Sequence, residues 1–282
     1  MFQRKFESDE NLKKELLFND CLLPDINRGN VFPAIRNGYM CFYYEGQLLF
    51  RYDGEFKTHI KFATTPGDAT ENYVSEKSFL GNGQALLKSF KEDYNKIKTN
   101  CKLYSKGSEA AGLSSLYKYS FARSKENIVV LDIEISFESQ GESKNQDRVD
   151  VLLYNKKTKK LKFVEAKLYS NKEIRSKTTP RVVSQIKKYN RQIDSKQHAD
   201  ILPGYKKYIC CMNDLFGIKI ACPTGVLQRT GLYIFGFDAY QKKWDLDKKI
   251  VPQLKDNGIT PYAIGNPRNV DITTLWNEVT KT

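Results

Sequence analysis

Two apolar runs carry ionisable groups where a strand would bury them: Arg148-Val149-Asp150-Val151-Leu152-Leu153 and Leu161-Lys162-Phe163-Val164-Glu165-Ala166-Lys167. The strand period of two puts Glu165 and Lys167 on one face, shared with Phe163, while Val164 points to the other. Asp150 stands alone among apolar residues, a costly placement without a cation or hydrogen-bond donors. If the runs pair as a hairpin through the lysine-rich turn Asn155 to Lys160, Asp150 and Glu165 converge on a divalent cation. Lys167 then stands beside a metal-bound water. Mg²⁺ takes hard oxygen ligands and retains water, so two carboxylates with the main-chain carbonyl of Ala166 suffice, and Mn²⁺ can substitute. Such a cation lowers the pKa of its water and stabilises charge growing on a phosphate, which is the chemistry of phosphodiester hydrolysis. The bare spelling E-x-K recurs at Glu55/Lys57 and Glu142/Lys144 without the preceding in-strand aspartate. The competing interpretation is a salt bridge between Glu165 and Lys167, with Asp150 as a satisfied polar core residue.

These residues need a sheet to hold them. Strands are expected at Ile128 to Phe137, Arg148 to Tyr154 and Leu161 to Leu168. A helix precedes them from Ser108 to Arg123, capped by Ser108 and carrying Glu109 in its first turn. Another opens at Thr179-Pro180, with Val182, Val183, Ile186, Tyr189 and Ile193 at helical spacing. A strand is expected at Tyr208 to Met212, another at Gly231 to Phe237, and a terminal helix at Ile272 to Val279. Upstream, a short helix around Asn11 to Phe18 leads to an aromatic antiparallel meander from Gly38 to Ala63, turning at Glu45-Gly46 and Asp53-Gly54. A long helix follows from about Asn72 to Asn100, with Leu86, Leu87, Phe90, Tyr94 and Ile97 in register. Gly81-Asn82-Gly83 before it is read as a cap or hinge rather than a nucleotide loop.

The two strands around Asp150 and Glu165-Ala166-Lys167, with the helix bearing Gln185-Ile186-Lys187-Lys188-Tyr189, resemble the PD-(D/E)XK nuclease superfamily. The Q-x-x-x-Y helix is similar to that of its RecB-like branch. The resemblance spans about Ser108 to Met212. It implies an α+β (α/β) restriction-endonuclease-like core, a central mixed four-stranded sheet flanked by helices. It further implies metal binding by Asp150 and Glu165, water activation or positioning by Lys167, and substrate or active-site support by Gln185 and Tyr189, with simple core packing as the rival for Tyr189. Glu109 occupies the place of an acidic residue that many members carry on the preceding helix, with a solvated surface Glu as its rival. Glu134, in the strand Asp132-Ile133-Glu134-Ile135, is another candidate carboxylate, with a solvent-facing strand position as its equal rival. Val149 replaces the proline of the family name, and the histidine that some RecB-like members carry on the first helix is absent.

The chain's 46 Lys and Arg against 33 Asp and Glu give +13, which suits a phosphate-rich partner. Around the carboxylates, Lys172, Arg175, Lys177, Arg181, Lys187, Lys188 and Arg191 could neutralise phosphates flanking the scissile one, with Tyr189 among them. DNA is favoured over RNA, and a homodimer would suit double-strand cutting. Only His59 and His198 occur, far apart, which argues against histidine-metal and Ser-His-Asp chemistry. The six cysteines form no C-x-x-C pair and read as buried reduced thiols. With no apolar run of membrane-spanning length and no signal-like start, a cytoplasmic protein is expected. The domain expectation is 1–75 as a β-rich recognition part, 76–106 as a connecting helix, 107–238 as the core and 239–282 as an extension. A catalytically inactive nucleic-acid-binding module of the same fold, or a protein-interaction protein, is the alternative.

Overall fold

A computed structural model describes residues 4–7, 9–63, 73–77, 88–105, 107–137, 148–176 and 178–281. Gly81-Asn82-Gly83, Leu86, Leu87, Glu142, Lys144 and Lys177 lie outside the described residues. The chain forms two compact units, one of Gln3–Arg123 with Lys207–Lys219, the other of Ser124–Lys206 with Ile220–Thr282. One boundary between the units falls after Arg123, and residues 239–282 belong to the same unit as the Asp150 and Glu165 strands. Among the described residues, no helix is long and apolar enough to cross a membrane.

The first unit is built on a five-stranded antiparallel meander in chain order: β1 (Val31–Ile35), β2 (Met40–Tyr44), β3 (Gln47–Tyr52), β4 (Phe56–His59) and β5 (Tyr73–Ser75). Glu45 and Gly46 both have positive φ, 48° and 79°, which gives the β2–β3 hairpin the two-residue turn whose twist matches its strands. Gly46 is also required sterically, because a Cβ there would lie 2.2 Å from the Ala110 carbonyl carbon. Phe50 packs against Phe56, Phe90 and Tyr94, and Phe32 against Tyr117 and Phe121. β1 was not anticipated because Pro33 sits within it. Only an edge strand tolerates a residue that cannot donate to the ladder, and β1 is at the edge.

Several expected helices differ. Tyr73–Ser75 is strand β5 rather than the start of a long helix, and the helix that contains Tyr94 and Ile97 runs Tyr94–Ser105. Ser108 caps as expected, accepting from the Ala111 N–H at 3.1 Å, but the helix it opens ends at Leu113 and continues as a 3-10 turn, Ser114–Tyr119. Tyr208 to Met212 is not a strand: it lies within the helix Leu202–Phe216. Tyr205, Tyr208, Ile209 and Met212 are buried at helical spacing, and an apolar run of five residues does not by itself distinguish strand from buried helix. Cys210 on that helix is exposed; Cys41 and Cys101 are the fully buried thiols, and all six cysteines are free.

The second unit holds a mixed sheet of six described strands: β6 (Ile128–Ser136), β7 (Arg148–Asn155), β8 (Lys160–Leu168), β9 (Gly225–Val226), β10 (Gly231–Phe235) and β11 (Tyr262–Ile264). This is larger than the four strands expected. Its order is β11-β10-β8-β7-β6, with β9 also beside β8; β6, β7 and β8 are antiparallel, while β10 runs parallel to both β8 and β11. The helix Arg181–Lys196 lies against one layer. Its Val182, Val183 and Ile186 join Leu232 and Ile234 of β10 and Leu246, Ile250 and Leu254 in one buried cluster. Each such side chain, fully buried, contributes about 1.5–3 kcal/mol, so this layer fixes the helix rigidly beside β8 and β10.

Candidate active site

The geometry begins with the hairpin. Asn155 closes the β7–β8 turn, its Oδ1 accepting from the N–H groups of Lys157 and Thr158 at 3.0 and 3.1 Å, and Lys159 takes a positive φ. The resulting register pairs Val151 with Val164. One step further along, Asp150 stands opposite Glu165. On the other side of β7, Ile133 pairs with Val151 and Ile135 with Val149, so Glu134 stands opposite Asp150. Glu134, Asp150 and Glu165 thus occupy one row across three adjacent strands, where directly opposed side chains share a face.

Each member of the row is held differently. Asp150, half-buried, accepts the Ala166 N–H on Oδ2 at 2.8 Å. Burial pushes its carboxyl well above the usual range, the facing Glu165 and then Glu134 push the same way, and the Ala166 N–H and Lys167 oppose them. Glu165 is 2% exposed, and its Oε1 lies 2.8 Å from Lys167 Nζ. Glu134 has a left-handed φ of 51°, unusual in a strand, and pairs with Arg148 at 3.1 Å.

Lys167, 5% exposed, is gripped from two sides: besides Glu165 it meets Glu173 Oε2 at 2.9 Å. Glu173 sits in the short turn Lys172–Ile174, whose Asn171 cap accepts the Glu173 N–H at 2.9 Å. Sequence reasoning passed over Glu173. It is the one acid in a segment otherwise notable for cations, and Asn171 two residues before it was the available turn signal.

The remaining expected residues fall into distinct places. Gln185 is half-buried on the Arg181–Lys196 helix, and its Oε1 is buried with no hydrogen-bond partner among the described residues. Tyr189 is 3% exposed and donates its hydroxyl to the Arg148 carbonyl at 2.8 Å. It is thus a strut behind β7, the packing role that rivals a place on a nucleic-acid surface. Arg175 is likewise committed. It donates to the carbonyls of Tyr169 and Asn171, meets Asp245 at 3.4 Å and stacks on the Tyr169 ring, so it braces the loop after β8. Lys172, Lys187, Lys188 and Arg181 are exposed, although Arg181 Nε also approaches Glu173 at 3.5 Å. Glu109 opens its helix in the other compact unit.

Among the described residues, no group of three His, Cys, Asp or Glu side chains is arranged as a metal cage. The donor set is therefore two facing carboxylates with main-chain oxygen. Mg²⁺ or Mn²⁺ fits such a set because either keeps several waters, and because a cation would offset the burial and the facing Glu165 that together raise the Asp150 carboxyl. Two cavities elsewhere, of about 230 and 490 Å³, do not include Asp150, Glu165 or Lys167.

No family model matches the chain, and no curated protein matches it. Among solved structures, the SfsA protein of Pyrococcus furiosus in complex with Ca²⁺ is similar over 83% of this chain and 86% of that one, with 13% identity and a TM-score of 0.23. A likeness that weak carries no argument about fold or activity.

Proposed function

We propose that the chain is a metal-dependent nuclease that hydrolyses phosphodiester bonds, DNA in preference to RNA, on a PD-(D/E)XK-like, restriction-endonuclease-like core. The observation that carries this is the convergence of Asp150, Glu165 and Lys167 on two paired strands, with the Asp150 carboxyl pushed up by burial and then by the facing Glu165. A purely structural salt bridge needs only Glu165 and Lys167. It gives no reason to set a second carboxylate, and a third at Glu134, in the same row.

Asp150 and Glu165 would hold Mg²⁺ or Mn²⁺, with the Ala166 carbonyl as the main-chain ligand. The bound cation supplies an acidified water and neutralises phosphate charge. Lys167 would hold and orient that water by an N–H donated from Nζ. Glu173 is a positioning residue: it would fix the Lys167 ammonium beside Glu165. Gln185 would offer its amide to substrate or water. Lys172, Arg181 and Lys188 are the exposed cations suited to flanking phosphates, and Lys177 is proposed with them.

The test is cleavage of supercoiled, linear and single-stranded DNA, with RNA alongside, in Mg²⁺ and in Mn²⁺. Wild type is compared with Glu165→Gln and Lys167→Met. Metal-dependent cutting lost in both folded variants supports the nuclease reading. Binding without cutting, equal in all three proteins, replaces it with the inactive binding module.

A further inference from the structure

A second site lies where the chain enters β10. A cavity of about 230 Å³ is walled by Lys187 and Asn190 of the Arg181–Lys196 helix, by Arg229 and Thr230, and by the turn at 257–260, with Ile186 and Leu232 on its apolar side. Two cations line it and no carboxylate does. Among the described residues, neither Lys187 nor Arg229 forms an ion pair, in a unit where Arg148, Lys167, Arg175 and Arg181 all do.

The polar groups there are set before any ligand arrives. Asn190 Oδ1 accepts the Thr230 N–H at 2.6 Å, which leaves the Asn190 amide nitrogen as a donor. Thr230 is 4% exposed, and its Oγ1 is buried with no hydrogen-bond partner among the described residues. A buried hydroxyl without a partner is destabilising, so one beside a cationic cavity calls for an acceptor. Arg229 is held at a φ of 62°, a conformation that an L-residue other than Asn or Asp enters only at a cost. Behind it, Lys162 is 1% exposed and donates only to the Gln228 carbonyl, at 3.3 Å. Burial, and then the charge of Arg229, bring its ammonium down to about 8.

We infer that this cavity binds a phosphate dianion, either free or as a terminal monoester. A planar guanidinium, an ammonium, an amide and a hydroxyl belong to residues that line one cavity from two segments, which matches several oxygens on one anion better than a single carboxylate. The volume is below that of typical drug-sized pockets, so the site takes the phosphate and part of what it is attached to, which rests on Ile186 and Leu232. The inference does not depend on the nuclease reading.

The test is calorimetric titration of the full chain in EDTA, which keeps divalent cations away from the carboxylate row. The probes are inorganic phosphate, adenosine 5′-monophosphate, adenosine, and one oligonucleotide with and without a 5′-phosphate. Phosphate compounds bind saturably and adenosine does not; the tightest of them identifies the source. Arg229→Asn, a residue that accepts the left-handed backbone, weakens binding at least about tenfold, as does Thr230→Val to a smaller degree, while Lys206→Ala leaves it unchanged. Thermal melting confirms that each variant is folded, and Thr230→Val carries the test alone if Arg229→Asn does not fold. Absence of saturable binding by every phosphate compound overturns the inference. So does adenosine binding as tightly as its monophosphate, or folded variants that bind like wild type.

Discussion

Replacing Tyr189 by Phe separates a strut from a substrate contact. The substitution keeps a ring that is 3% exposed and removes one hydroxyl, whose hydrogen bond to the Arg148 carbonyl is 2.8 Å long. Such a bond contributes about 0.5–1.5 kcal/mol net, so Tyr189→Phe should lose about 1 kcal/mol. In urea, with a slope of about 1–3 kcal/mol/M, that lowers the midpoint by roughly 0.3–1 M at unchanged slope. Tyr189→Ala also empties the ring's site and should cost about 3–5 kcal/mol. Because Arg148 lies two residues before Asp150, the strut acts on the position of Asp150: the cleavage rate should fall about tenfold, while affinity for DNA in EDTA stays at the wild-type value. A Tyr189→Phe protein of unchanged stability that has lost about tenfold in DNA affinity would refute the strut and restore Tyr189 to the substrate surface.

Glu165→Gln and Lys167→Met should each reduce metal-dependent cleavage by about 10²–10⁴-fold in a gel assay, since each removes a charge the reaction uses. Without divalent cations, the raised Asp150 carboxyl makes stability complete below pH 3.8 and progressively lost as pH rises through its folded-state pKa. Melting in EDTA should therefore show that Asp150→Asn is more stable than wild type at neutral pH and equal to it in acid; a wild-type advantage at neutral pH would contradict this. In the other unit, burial alone would push Asp25 up, but hydrogen bonds from Lys98, Arg28, Asn30 and Tyr94 outweigh it and hold the carboxyl at about 2. Asp25 therefore contributes about 2 kcal/mol above pH 3.8 that is lost as pH falls toward 2, and Asp25→Ala should remove that acid limb of the stability profile. Gly46→Ala should destabilise by at least about 2 kcal/mol by urea melting, because it strains a positive φ and drives a Cβ into the Ala110 backbone.

Period-two patterning and turn chemistry made β7, β8 and their hairpin legible, because residues on a strand flanked by Asn-Lys-Lys-Thr have few alternatives. The helix after Pro180 was equally clear from its apolar stripe. Tyr208 to Met212 was not, since a short apolar run fits either a buried strand or a buried helix turn, and packing against neighbours decides which. β9 and β11, two and three residues long, carry too little periodicity to be seen alone.

The sequence alone pointed to the candidates: Asp150, Glu165 and Lys167 are ionisable groups set, with Arg148, Lys160 and Lys162, in two otherwise apolar strands. Tertiary structure decided what surrounds them. Register across β6 and β7 brought Glu134 into the row, the turn after β8 delivered Glu173 to Lys167, and the helix turned Tyr189 inward onto Arg148. Those contacts join positions whose strand pairing, loop path and helix rotation are set by burial of the whole apolar layer, and no local pattern encodes them.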